Sequence, residues 1–208
     1  MRDSNGFDLW AKDYDRNVKI IEDSGKYPFD GYKNILNSIY NSILSKPRAK
    51  VLDIGFGTAP ISSILYKEGY EIWGQDFSQK MLEIAQSKMP DARLFLKDFS
   101  DGLEDKIKDN KFDFIIATYC MHHLLDNDYR IAFMKELLGL LNKGGKLLIG
   151  DVMFQNLDEQ EFCKKDVGDI WDDKENYYIV DEIKKAFPEV KFEKMSYCAG
   201  ILELSSNL

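Results

Sequence analysis

Between Lys50 and Gly150 short apolar runs alternate with segments of helical spacing, and this alternation restricts the chain to few architectures. The runs are Lys50 to Ile54, Glu71 to Gln75, Arg93 to Leu96, Phe112 to Ala117 and Lys146 to Gly150. Their length and apolar content predict strands. Between them, Met81, Leu82 and Ala85 follow a Ser78 cap. Further on, Ile131, Met134, Leu138 and Leu141 recur at helical spacing before Asn142-Lys143-Gly144-Gly145, where glycine is expected to stop the helix. Strands that alternate with helices pair in parallel through right-handed crossovers, so the expected fold is an open α/β sheet covered on both faces.

The ends depart from this rhythm. Residues from about Phe7 to Leu44 carry two helical patterns before the first strand, and another helical region runs from about Leu157 to Phe187. Both are expected to form lids. Val190 to Tyr197 and Gly200 to Leu204 are separated by a short turn and predict a terminal antiparallel pair. No repeat, low-complexity run or linker divides the chain. Residues 1–208 therefore read as one domain, with a helical lid over 1–45, a ligand-binding core over 46–155 and lid helices plus the strand pair over 156–208.

Charge narrows the partners. A formal net charge of -8 repels a polyanion, and the lysines are interleaved with acids, as in Glu182-Ile183-Lys184-Lys185, so nucleic acid is not an expected substrate. No apolar run is long enough for a membrane span, and Met1-Arg2-Asp3-Ser4 leads into no signal-like stretch, which makes the cytoplasm the expected location. Cys120, Cys163 and Cys198 show no paired spacing and read as reduced thiols. The two histidines, His122 and His123, are too few for an ordinary metal cluster, so no metal is expected.

The chemistry concentrates at Val51-Leu52-Asp53-Ile54-Gly55-Phe56-Gly57-Thr58-Ala59-Pro60, an apolar strand that breaks into glycines and then a helix. Gly55 and Gly57 let backbone approach a ligand, and Pro60 suits the first helical turn. Asp53, just before the glycines, would repel a dinucleotide pyrophosphate and attract a cation. S-adenosylmethionine carries an ammonium and a sulfonium and no phosphate, so it suits this turn better than NAD does. Asp76, at the end of the second strand, stands where an acid accepts hydrogen bonds from ribose hydroxyls. Both cofactor classes use such an acid.

Together with Trp10-Ala11-Lys12-Asp13-Tyr14-Asp15, Gly74-Gln75-Asp76-Phe77-Ser78, Lys97-Asp98-Phe99, Thr118-Tyr119-Cys120-Met121-His122-His123-Leu124 and Leu141-Asn142-Lys143-Gly144-Gly145-Lys146, this turn resembles the class I S-adenosylmethionine-dependent methyltransferases, and among them the small YrrT-like group. The resemblance spans nearly the whole chain. It implies a Rossmann-like, doubly wound, mostly parallel seven-stranded sheet with a terminal antiparallel strand, and S-adenosylmethionine as cofactor with S-adenosylhomocysteine as product. It also implies that Gly55 and Gly57 line the methionine part, that Asp53 lies near its amino group and that Asp76 binds the ribose. Asp98 and Phe99 fall by the adenine, Thr118 and Tyr119 form the floor, Tyr14 closes over the cofactor, and Phe56, Phe77 and Met81 complete the set. One departure is Ala59, which replaces the family's third glycine.

His122 and His123 follow the fourth strand, where a substrate is expected, and a neutral His122 imidazole is a candidate base. The plainer reading is a helix-start pair with one ring packed. Trp10 reads as core, and Tyr177 and Tyr178 as packing in the lid. Cys120 lacks the Pro-Cys context of cytosine methylation, and no Asn/Asp-Pro-Pro-Tyr/Phe motif is present. The expected activity is in-line methyl transfer to a small molecule. The alternatives are a non-catalytic S-adenosylmethionine-binding module and, third, an NAD-dependent oxidoreductase, although Pro60 stands where GxGxxG needs its last glycine.

Overall fold

The computed structural model of the chain describes Val18 and residues 25–206, so Trp10, Tyr14 and the motif around them lie outside the described residues. Strands β1 (Lys50–Ile54), β2 (Glu71–Asp76), β3 (Arg93–Leu96), β4 (Phe112–Thr118) and β5 (Leu141–Phe154) follow the expected alternation. They pair in parallel in the order β3-β2-β1-β4-β5. The two-residue β6 (Tyr178–Ile179) runs parallel to the end of β5. Beyond it, β7 (Lys191–Lys194) and β8 (Ala199–Ser205) form the expected hairpin, with β8 antiparallel to β5.

Alternation along the strands buries both faces. Val51, Phe114, Ile116, Leu148 and Val152 point to one side, against α1 (Tyr32–Leu44), α2 (Ser62–Lys67) and α3 (Gln79–Lys88). Leu52, Ile54, Ile115, Leu147 and Ile149 point to the other, toward α4 (Asp105–Lys108) and α5 (Asn127–Gly139). Of the later helices, α6 (Leu157–Val167) buries Cys163 on the first side, and α7 (Val180–Ala186) buries Val180 and Ile183 on the second. Ile35, Ile39 and Ile43 give α1 its buried stripe, each contributing about 1.5–3 kcal/mol by burial. The Ser78 cap forms as expected, its Oγ accepting the Met81 N–H at 3.2 Å.

Two differences from the sequence reading have local causes. Leu141 does not extend the helix: α5 ends at Gly139, and Leu141 pairs with Phe112 as the start of β5, with a bulge between Phe112 and Phe114. The glycines at 144 and 145 thus shape an irregular strand start. The region from Leu157 to Phe187 is also interrupted by β6. Pairing with β4 stops at Gly150, and β6 pairs in parallel with Met153 and Phe154, the part of β5 that runs past the end of β4, while the Met153 N–H donates to the Cys198 carbonyl at 3.0 Å. The chain leaves β1 toward β2 on one side and returns as β4 on the other, which opens a crevice at the carboxyl ends of these strands.

Candidate functional site

The turn after β1 crosses this crevice. Gly55 sits at φ +64°, and a Cβ there would fall 2.6 Å from the Cβ of Cys120, so the turn packs on the end of β4 only without a side chain. The Gly55 N–H donates to the Gln75 carbonyl at 2.8 Å and ties the turn to β2. Ala59 takes φ +58°, keeping a left-handed backbone although the residue is alanine. Its carbonyl accepts the Ser63 N–H at 3.1 Å, so Pro60 does enter the first turn of helical bonding.

Both acids at the strand ends are buried. Asp76 accepts the N–H of Gly57 at 2.8 Å through Oδ2 and that of Ser78 at 2.9 Å through Oδ1, locking the glycine turn to the end of β2. Burial pushes its carboxyl up to about 6 against the backbone donors that oppose the shift. Asp53 accepts from the Ser62 hydroxyl through Oδ2, while Oδ1 is buried with no hydrogen-bond partner among the described residues. Its carboxyl rises to about 7, first from burial, with the Asp76 charge adding to the shift.

One cleft joins four strand ends. Gly55, Phe56 and Gly57 line it from β1, with Thr58 and Pro60. Asp76, Phe77 and Met81 come from β2 and α3, and Phe99 from the turn after β3. Thr118, Tyr119, Cys120 and His123 follow β4, and Tyr32 faces them from α1. The Tyr32 and Tyr119 ring centroids are 5.2 Å apart, with Tyr119 at φ +50°. Cys120 donates its thiol to the Ile54 carbonyl at 3.1 Å, and burial raises it well above the usual thiol range, which keeps it an unreactive thiol.

Beyond Cys120 a short 3-10 turn, Met121–His123, presents the two imidazoles. His122 Nδ1 lies 2.6 Å from Oδ1 of the fully buried Asp151 on β5, and His123 Nδ1 lies 2.8 Å from Oε2 of Glu175. The loop carrying Glu175 is clasped by its neighbour: the Asn176 side chain donates to the Leu124 carbonyl and to Asn127 Oδ1, both at 2.9 Å, and its N–H donates to the His122 carbonyl at 2.9 Å. The buried Arg130 also donates to the Asn176 carbonyl and lies over the Tyr178 ring.

Comparison with known proteins matches this arrangement to one family. A methyltransferase-domain family matches residues 51–145. An uncharacterised methyltransferase of Bacillus cereus is 35% identical over 156 residues, covering 73% of this chain and 68% of the relative. The chain belongs to the methyltransferase family. An uncharacterised methyltransferase of Alkaliphilus oremlandii is 29% identical to this methyltransferase over 184 residues, covering 88% of this chain and 81% of the relative. The fold is that of S-adenosylmethionine-dependent methyltransferases. The structure of magnesium protoporphyrin IX methyltransferase from Synechocystis with bound S-adenosylhomocysteine superposes with a TM-score of 0.67 at 18% identity, covering 99% of this chain and all of that one.

In this methyltransferase the cleft gathers Gly55, Phe56, Gly57, Asp76, Phe77, Met81, Phe99, Thr118, Tyr119 and His123 from the expected residues. Three others stand off its wall. Asp53 faces Ser62, and His122 faces Asp151. Asp98 caps the turn Phe99–Asp101, accepting the Ser100 N–H at 2.8 Å. Sequence reasoning missed Tyr32, Asp151 and Glu175. Asp151 directly follows the apolar run that ends at Gly150, and strand-end position was its one available signal; Glu175 sits in a polar lid loop that gives none.

Proposed function

We propose that this methyltransferase, one of the small YrrT-like enzymes its motifs resemble, moves a methyl group from S-adenosylmethionine to a small-molecule acceptor in the cytoplasm. The observation that carries the reading is the cleft lined by Gly55, Gly57 and Asp76, with the Asp53 Oδ1 atom buried behind its glycine turn and without a hydrogen-bond partner among the described residues. A cationic ammonium compensates such an atom and a diphosphate does not. The residues fit the cofactor in their other chemistry too: Gly55 and Gly57 leave room for the methionine part, Asp76 accepts ribose hydroxyls, and Phe77, Met81 and Phe99 offer apolar surface to an adenine. Asp98 acts on this side by holding Phe99 in its turn. Tyr14 is assigned to the cofactor by resemblance alone.

When bound, the cofactor supplies an activated methyl on a sulfonium whose departure leaves a neutral thioether. The chain then has to align the acceptor and exclude water, and alignment alone is worth about 7–11 kcal/mol. In this reading segment 1–45 and the helices of segment 156–208 serve as lids, and the terminal strand pair of that segment extends the sheet. Thr118 and Tyr119 form the floor beneath the reacting groups. His122 and His123 face the acceptor: Asp151 accepts the Nδ1–H of His122, which leaves a lone pair on Nε2 for an acceptor proton. Three buried, unbridged cysteines suit a reducing compartment, and no helix among the described residues is long and apolar enough to cross a membrane.

A thermal-shift series with S-adenosylmethionine, S-adenosylhomocysteine and NAD tests the assignment. Either sulfur ligand at 100 times its dissociation constant is expected to stabilise the fold by about 2.7 kcal/mol. Stabilisation by NAD alone overturns the reading. Methylation of a small acceptor, followed with labelled cofactor, then separates an enzyme from a binding module.

A further inference from the structure

The lone pair on His122 Nε2 has neighbours that suggest a more specific use. One ligand atom each from His122, His123 and Glu175 lies within 4.8 Å of the others. Glu175 Oε2 is 2.8 Å from His123 Nδ1 and 3.8 Å from His122 Nε2. Metal–ligand bonds of about 2.0–2.1 Å in tetrahedral geometry separate neighbouring ligand atoms by about 3.4 Å, a spacing these two distances bracket.

The surroundings are those of a built site. Asp151, with its side chain 1% exposed, is held by the Val152 N–H at 2.8 Å and the His122 N–H at 3.3 Å, and its Oδ1 engages His122 Nδ1. A carboxylate behind an imidazole fixes its tautomer and aims the opposite nitrogen outward, the usual support of a metal-bound histidine. The Asn176 clasp holds Glu175 against the imidazoles, and all three ligand side chains are only 12–16% exposed. His123 also lines the cleft, so the cluster borders the space that takes the acceptor.

We propose that His122, His123 and Glu175 bind a first-row divalent cation such as Zn²⁺ at the acceptor end of the cleft, with Asp151 orienting His122. Two imidazoles and one carboxylate suit such a cation better than Mg²⁺ or Ca²⁺, which prefer oxygen ligands throughout. Three protein ligands leave positions for oxygen atoms of a substrate. The inference rests on the small-molecule acceptor reading above and replaces one part of it, since a cation on His122 Nε2 takes the lone pair otherwise offered to an acceptor proton: the acceptor is a small molecule with a metal-coordinating oxygen, such as a hydroxyl or carboxylate.

The chain contains only two histidines, so tag-free protein titrated with Zn²⁺ reports directly through its imidazole nitrogen resonances. Both rings are expected to shift together and saturate at one cation per chain. Glu175→Gln and Asp151→Asn are each expected to weaken Zn²⁺ binding about 10–100-fold while S-adenosylhomocysteine affinity stays unchanged. Rings that fail to respond, a response confined to one ring, or Glu175→Gln protein that binds Zn²⁺ as tightly as the native chain overturns the site. Binding of S-adenosylhomocysteine without any imidazole response sinks the cation site and leaves the cofactor reading intact. An imidazole response without cofactor binding does the reverse.

Discussion

Ala59 and Gly55 share a positive φ, yet substitutions there are expected to differ sharply in cost. At Ala59 the left-handed conformation of a non-glycine residue costs about 1–2 kcal/mol, and glycine removes that cost while adding about 0.5–1 kcal/mol of chain entropy. The buried Ala59 methyl, worth about 0.8 kcal/mol, is lost as well, so Ala59→Gly should leave stability within about 1 kcal/mol of the native chain in urea unfolding, with cofactor affinity unchanged. Gly55→Ala meets the Cys120 side chain and should lose about 1–3 kcal/mol to overpacking along with most cofactor binding. Equal effects of the two changes would show that the turn does not hold Gly55 against β4. Cys120 illustrates how position alone misleads: it follows β4 inside the cleft, but its thiol is spent on the Ile54 carbonyl.

Elements build the site by where they stop. The carboxyl ends of β1, β2 and β4 carry Gly55, Asp76 and Thr118 to one level, and the turn after β3 adds Phe99. The side proposed for the acceptor depends on the loop between α6 and β6, which Trp171 and Tyr177 anchor through ring contacts with Tyr27 and Phe154 and which Asn176 pins to the segment after β4. Asn176→Ala leaves the partly buried carbonyl of Leu124 and the exposed carbonyl of Leu125 to water at a cost of about 0.5–1.5 kcal/mol. Amide exchange is expected to quicken across residues 172–178 while β1 and β4 keep their protection. Uniformly faster exchange throughout the sheet would mean that the clasp serves global stability instead of local order.

On the scale of the molecule, two buried acids couple protonation to folding and binding. Asp53 and Asp76 rise to about 7 and about 6, above the ordinary carboxylate range, so the fold favours their neutral forms. The stability they contribute is full below that ordinary range, near pH 4, and is lost as pH rises through about 6 and 7. Urea unfolding of the cofactor-free protein should accordingly show decreasing stability from these groups between pH 5 and 8, and Asp53→Asn should flatten that slope. An ammonium beside Asp53 favours its ionised form, so cofactor binding at pH 6 should release a proton. Calorimetry in two buffers of different ionisation enthalpy measures that release, and identical heats in both would remove Asp53 from contact with the ligand. The net charge of -8 is compatible with this local preference for a cation and with a small acceptor.

The sequence by itself determined the parallel core and most of the residues that line the cleft. Short apolar runs, the Ser78 cap, the glycines after β1 and the acid at the end of β2 are local signals, each written within a few residues of the structure it specifies. Only tertiary structure decided which atoms the side chains face. Asp53 and Ser62 meet across a strand and a helix, and His122 and Asp151 meet because the chain leaving β4 passes beside β5 just beyond the last pair, Thr118 with Gly150. Glu175 reaches the imidazoles because a loop 52 residues beyond His123 folds back over them. Likewise β6 pairs with the part of β5 that runs past the end of β4. Backbone periodicity is imposed by near neighbours in the chain, whereas an ion pair or an acceptor site depends on groups that only the closed fold brings within bonding distance.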